Sequence, residues 1–119
     1  MNPITIHIKN LRLRTYIGFN QEELEKKQDV IINIDLNYNA TTAMLSDQVS
    51  DACNYKILTK KIIKQVESNR FNLLEKMAAE IMKIIQLDSS ILYAEVKIDK
   101  PHALRFADSV SVSYTWTKD

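Results

Sequence analysis

Four stretches of the chain alternate apolar and polar residues. Ile4, Ile6 and Ile8 alternate with Thr5, His7 and Lys9, and the pattern runs on through Leu11 and Leu13 with Arg12 and Arg14 opposite. Residues two apart share one face of a strand, so each such stretch predicts a strand with one buried side. Val30, Ile32, Ile34, Leu36 and Tyr38 predict a second strand, antiparallel to the first. Leu92, Ala94, Val96 and Ile98 predict a third, and Val110, Val112, Tyr114 and Trp116 a fourth.

The period changes between the second and third strands. Leu58, Ile62 and Val66 fall at helical spacing with Ile63 beside them, and Asn54 is placed to cap that helix. Leu74, Met77, Ala78, Ile81, Met82 and Ile85 form the stripe of a second helix. Asn72-Leu73-Leu74-Glu75 has the spacing of a capping box, with Glu75 reaching back to Asn72. Thr15 to Asp29 reads as a polar connection, either a short helix or an extended excursion, with an acidic run from Glu22 to Glu25. Asn39 to Asp51 reads as a loop, being rich in Asn, Thr, Ser and Asp.

The expected order is strand, strand, helix, helix, strand, strand. Strands gathered at both ends argue for one α+β domain over residues 1–119, with both helices on one face of a four-stranded antiparallel sheet. Thr5, His7, Asn33, Asp35, Asn37, Ser111, Ser113 and Thr115 make the other face polar and wet. The last strand, Val110 to Thr117, has no proline and no charge to protect a free edge. Pairing with another copy would cover it, so a homo-oligomer is expected.

Composition narrows the function. A net charge of +1 gives no global field for nucleic acid or an anionic membrane, so neither is an expected partner. Cys53 is the only cysteine, which removes disulfide frameworks and thiolate zinc sites, and no pair of histidines stands at helical spacing. No metal or cofactor is expected. Gly18 is the only glycine, so glycine-rich phosphate loops are excluded. The first residues show no basic stretch followed by an apolar one, and no apolar run could span a bilayer, so a cytoplasmic location is expected.

Acid–base chemistry remains, with Lys100, Tyr55, Glu23, Glu75 and His102 as its candidates. The run Ile98 to Arg105 joins the last two strands and holds a carboxylate, two fixed cations and a histidine. Pro101 ends a strand at about Lys100 and keeps Lys100 extended. A lysine serves as a base when burial or cationic neighbours lower its pKa, and His102 and Arg105 stand close by. Without further context the run also fits a solvated basic turn.

Three segments resemble the dihydroneopterin aldolase family in kind, order and spacing: Asp51-Ala52-Cys53-Asn54-Tyr55, Asn72-Leu73-Leu74-Glu75 and Ile98-Asp99-Lys100-Pro101. The resemblance covers essentially the whole chain. Lys9 to Thr15, Asn69-Arg70-Phe71 and His102 to Ser111 look closer to the family's epimerase branch, which acts on dihydroneopterin triphosphate. Aldolases usually carry Gly-Tyr-His-Gly where this chain has Thr15-Tyr16-Ile17-Gly18. That departure makes epimerisation at C2′ the expected activity, with aldolase cleavage as the alternative.

The resemblance implies a tunnelling fold (T-fold), in which subunits join their sheets into a barrel, commonly as an octamer with sites between subunits. It implies a dihydropterin as the small-molecule substrate. Lys100 would be the general acid/base, with Tyr55 assisting proton transfer. Glu75, with the backbone of Leu74, would grip the guanidine-like edge of the pterin, a task that competes with the capping box. Glu23 would reach a neighbouring subunit's site, although Glu22 stands beside it. Cys53, which by itself reads as a small and partly buried residue, is placed among the substrate contacts. His102 and Arg105, together with Arg12 and Arg14, are the cations that could hold a triphosphate. A non-catalytic pterin- or purine-binding oligomer of the same fold would also retain Glu75.

Overall fold

The computed structural model describes residues 1–119. In chain order the elements are β1 (Pro3–Ile17), α1 (Gln21–Glu25), β2 (Gln28–Asn39), α2 (Thr41–Ser46), α3 (Tyr55–Glu67), β3 (Arg70–Phe71), α4 (Leu74–Gln86), β4 (Ile91–Lys100) and β5 (Val110–Thr117). The α+β expectation and the order of its four long strands and two long helices hold. Two short helices and a short strand add to them. The sheet has five strands in the order β3-β1-β2-β4-β5, because Arg70–Phe71 pairs in parallel with Tyr16 and Ile17. The stretch from Asn39 to Asp51 is not all loop. Asn39 Oδ1 accepts from the Thr41 N–H (3.1 Å) and so opens α2, and a single 3-10 turn follows at Val49–Asp51.

β1 changes face half-way. Ile8 pairs with Ile34 and Leu11 with Ile32, so β1 advances three residues while β2 advances two. Asn10 takes up the extra residue at φ 53°, and its N–H donates to Asn33 Oδ1 (2.9 Å). This bulge moves the inward positions from Ile4, Ile6 and Ile8 to Leu11, Leu13, Thr15 and Ile17. Thr15 is therefore buried, and its hydroxyl donates to the Val66 carbonyl (2.7 Å), tying β1 to the end of α3.

The core lies between the sheet and the α3–α4 pair. Ile32, Ile34 and Leu36 of β2 and Ala94, Val96 and Ile98 of β4 face Ile62, Val66, Met77, Ile81 and Ile85 of the helices. Asn54 caps α3 as expected, accepting from the Ile57 N–H (3.1 Å). The opposite sheet face is polar, also as expected. Thr5 donates to Asn37 (2.7 Å), and His7 Nδ1 meets Asp35 Oδ1 at 2.6 Å. β5 stands at the sheet edge, as its lack of a partner strand in the sequence order implied.

Candidate active site

Lys100 is the last residue of β4 and continues the inward series Ala94, Val96, Ile98. Parity carries its side chain into the protein, where only 9% of the residue is exposed. A buried ammonium needs a partner. Lys100 Nζ donates to Glu23 Oε2, and Glu23's own side chain is 16% exposed. Pro101 and the turns that follow lift the chain off the sheet, with the Ala103 N–H donating to the Lys100 carbonyl (3.3 Å).

Glu23 is held by its second oxygen. It is the third residue of α1, and Asn20 and Glu23 form a capping box. Asn20 Oδ1 accepts from the Glu23 N–H (2.9 Å), while Glu23 Oε1 accepts from the N–H groups of Phe19 (3.2 Å) and Asn20 (3.4 Å). One carboxylate therefore closes a helix with Oε1 and fixes a lysine with Oε2. The hydrogen bond from Lys100 holds its carboxyl below the ordinary glutamate value, against burial, and the Asn20 and Phe19 N–H groups add to the effect.

α1 has five residues and no buried side chain, so packing of its own does not hold it. Arg70 ties it down. Its guanidinium stacks on the Tyr16 ring at 3.7 Å, and Nη1 donates to the Leu24 carbonyl (3.0 Å). Gly18 supplies the turn into α1 at φ 118°, with its N–H donating to the Phe71 carbonyl (2.8 Å). A Cβ on Gly18 would fall 2.2 Å from Glu23 Cδ.

Beside this pair opens a cavity of about 820 Å3, walled by Asn20 and the Lys26–Gln28 segment on one side and by Pro101 to Arg105 on the other. The structure thus brings Lys100, Glu23, His102 and Arg105 together. The expectation that Glu23 reaches a neighbouring subunit is corrected: α1 folds back over the end of β4, and Glu23 pairs with Lys100 of its own chain. Arg12 and Arg14 do not line this cavity. Both lie between the inward positions Leu11, Leu13 and Thr15, and Arg14 is spent on Asp29 (3.3 Å) and the Lys27 carbonyl (3.1 Å).

Glu75 lies elsewhere. The capping box expected at Asn72 is absent, because α4 is capped at Leu73 without a side-chain bond, and Glu75 falls one position too early to reach back. Its carboxylate makes no hydrogen bond or ion pair and faces a groove of about 240 Å3 with Ala78, Ala79, Val112, Ser113 and Tyr114, between α4 and the edge strand β5. Leu74 beside it is buried.

Tyr55 and Cys53 sit at the far end of the helix pair. Tyr55 is 50% exposed, which rules out a core role for its ring. Cys53 is 4% exposed, and burial, with Asp88 beside it, pushes its thiol up to about 11. Asp88 follows the last turn of α4 whereas Glu75 opens its first, so α4's 13 residues put about 20 Å between them. A thiol so placed is protonated at neutral pH. Alkylation of Cys53 at pH 8 should be slow in the folded protein and fast after denaturation; rapid modification of the native protein would show that the thiol is accessible.

The family model FolB, dihydroneopterin aldolase, matches residues 6–115. The chain belongs to the dihydroneopterin aldolase family. Among curated members, the dihydroneopterin triphosphate 2′-epimerases of Escherichia coli strain K12 and Pseudomonas aeruginosa are each 50% identical to it. The former covers 95% of this chain and 94% of its own length, the latter 91% and 88%. The Escherichia coli dihydroneopterin aldolase is 27% identical, over 90% of this chain and 88% of its own. Solved structures place the fold in the same family. The Escherichia coli aldolase bound to neopterin matches with a TM-score of 0.89 at 26% identity, over 95% of this chain and 98% of that one. A guanine-bound Burkholderia relative matches at 0.85 and 20%, over 98% and 93%. The fold is the T-fold of these aldolases. No helix is long and apolar enough to cross a membrane.

Proposed function

We propose that this family member epimerises C2′ of the side chain of 7,8-dihydroneopterin triphosphate by a retro-aldol/aldol cycle. The observation that carries the reading is the buried Lys100–Glu23 pair opening on a cation-walled cavity, in a chain half identical to epimerases along nearly its whole length. In a 7,8-dihydropterin the C6=N5 imine is an electron sink. Removal of the 2′-hydroxyl proton lets the C1′–C2′ bond break; its electron pair moves into the ring, N5 gains a proton, and C2′ becomes an aldehyde. The enamine carbon C1′ then attacks the other face of that aldehyde, N5 gives up its proton, the oxygen regains one, and C2′ is inverted. Release of the aldehyde instead would be aldolase action.

Lys100 is the group that gives and takes protons at the reacting centre, and Glu23 fixes its position and balances its charge. Glu75, free of any cap, offers two oxygens to the pterin's guanidine-like edge next to the Leu74 backbone. Tyr55 and Cys53 lie too far from Glu75 along α4 to meet the same ligand within one chain. The site is therefore completed between copies of a homo-oligomer, of the octameric kind the family resemblance implies, with Tyr55 assisting proton transfer from a second subunit. The buried, protonated Cys53 thiol leaves that residue a role through its backbone. A cytoplasmic location belongs to the same reading, since the proposed substrate is a soluble dihydropterin.

Incubation with dihydroneopterin triphosphate followed by chromatography of the dephosphorylated pterins tests this. Monapterin should accumulate toward equilibrium with neopterin. Mainly 6-hydroxymethyl-dihydropterin would mean an aldolase, and an unchanged pterin that still binds would mean a non-catalytic carrier.

A further inference from the structure

Three cations of the cavity wall have no ion-pair partner. Lys26 and Lys27 come from one side, and Arg105 from the Pro101–Ser109 loop on the other. They are absent from all six ion pairs of the chain. The carboxylates of the same wall are Glu22, Asp108 and Glu23, and the last is committed to Lys100. The lysine backbone is pinned at two points: the Lys26 N–H donates to the Glu22 carbonyl (3.2 Å), and Arg14 donates to the Lys27 carbonyl (3.1 Å). The lysine heads remain free, Lys27 standing 5.9 Å above the Tyr16 ring.

We infer that Lys26, Lys27 and Arg105 form a polyphosphate subsite that holds the triphosphate end of the substrate. Two point-charge ammonium groups on one wall and a planar guanidinium on the other suit a chain of tetrahedral oxyanions approached from two sides. The place matters as much as the charge. The cavity abuts the Lys100–Glu23 pair, so a tail anchored there keeps the aldehyde fragment beside Lys100 after C1′–C2′ cleavage. Retention of that fragment favours rebinding over release, which is the difference between epimerase and aldolase. Identifying the tail as that of the substrate rests on the epimerase reading; binding of a polyphosphate does not.

Inorganic tripolyphosphate is the probe, used on the intact protein by calorimetry and as a competitor in turnover. It should bind the unmodified protein and compete with dihydroneopterin triphosphate. Lys27→Gln combined with Arg105→Gln should weaken its binding at least about tenfold, as loss of charge-assisted hydrogen bonds does. The same variant should lower the ratio of kcat/KM for the triphosphate to kcat/KM for dihydroneopterin by a similar factor and raise the share of cleaved product. Arg12→Gln, which neither lines the cavity nor touches the lysine segment, should leave binding and ratio unchanged. No binding by the unmodified protein, binding without competition, or equal weakening by Arg12→Gln would overturn the subsite. If tripolyphosphate binding is weakened by the Lys27→Gln and Arg105→Gln pair yet C2′ is never inverted, the subsite stands and the epimerase reading fails.

Discussion

Lys100→Met should lower turnover by about 10²–10⁴-fold, the range over which a positioned acid or base contributes, while a pterin still binds. Methionine keeps the length of the side chain and its fit along the inward face of β4, and removes the proton. Lys100 is not part of the Glu75 groove, so the affinity for a pterin should change little. The substitution also leaves Glu23 Oε2 without its donor, at a cost of about 1–3 kcal/mol for a buried acceptor left unpaired. Glu23 Oε1 keeps its bonds to Phe19 and Asn20, which confines the damage to that one oxygen. The pH dependence has a definite sign. Glu23's carboxyl is depressed in the folded protein relative to its ordinary value near 4.5, so its stabilisation is fully present above that value and is lost as pH falls through the depressed one. The stability gap between the unmodified protein and Lys100→Met, read from urea midpoints, should therefore be constant near neutrality and shrink at pH below about 4. Turnover within a few-fold of the unmodified protein would remove Lys100 from the chemistry.

Wherever a period runs for several residues, the fold was legible. The alternations at Val30–Tyr38 and Val110–Trp116 and the stripe from Leu74 to Ile85 each became the element they predict. Features without a period were not legible. β3 is two residues long, and α1 buries nothing, so neither leaves a hydrophobic trace. The β1 bulge did leave one, a change of apolar parity from even positions up to Ile8 to odd positions from Leu11 onward. The site divides in the same way. Lys100 extends the inward series of β4, so its burial follows from counting by twos from Ala94. The Glu23 pairing depends on how a connecting segment folds back over β4, which no local pattern encodes. Its one local signal is Asn20-Gln21-Glu22-Glu23, which has the same capping-box spacing as Asn72-Leu73-Leu74-Glu75, where the helix begins a residue too late to use it. Lys26 and Lys27 were equally silent, because a cation becomes part of a site only through the wall opposite it.

Gly18→Ala should cost as much activity as Glu23→Ala, although it adds a single methyl group. Gly18 has φ 118°, a region that side-chain-bearing residues rarely adopt, which alone costs about 1–3 kcal/mol. The new Cβ would lie 2.2 Å from Glu23 Cδ and Oε1 and 2.5 Å from Oε2. Something must give, and the end of a flexible side chain gives more readily than the backbone, which is fixed by the bond from Gly18 N–H to the Phe71 carbonyl. Glu23 then swings away, the capping box opens, and Lys100 loses the partner that aims it. The chain should still fold, with activity lost well beyond the loss of stability. A double-mutant cycle separates the two effects. In a Glu23→Ala background the clash has no target, so Gly18→Ala should there lower only the denaturation midpoint and leave the residual turnover unchanged. If Gly18→Ala alone lowers the midpoint but keeps full turnover, the turn matters for the backbone only, and Glu23 is held against Lys100 by α1 and Arg70 without help from the empty space at Gly18.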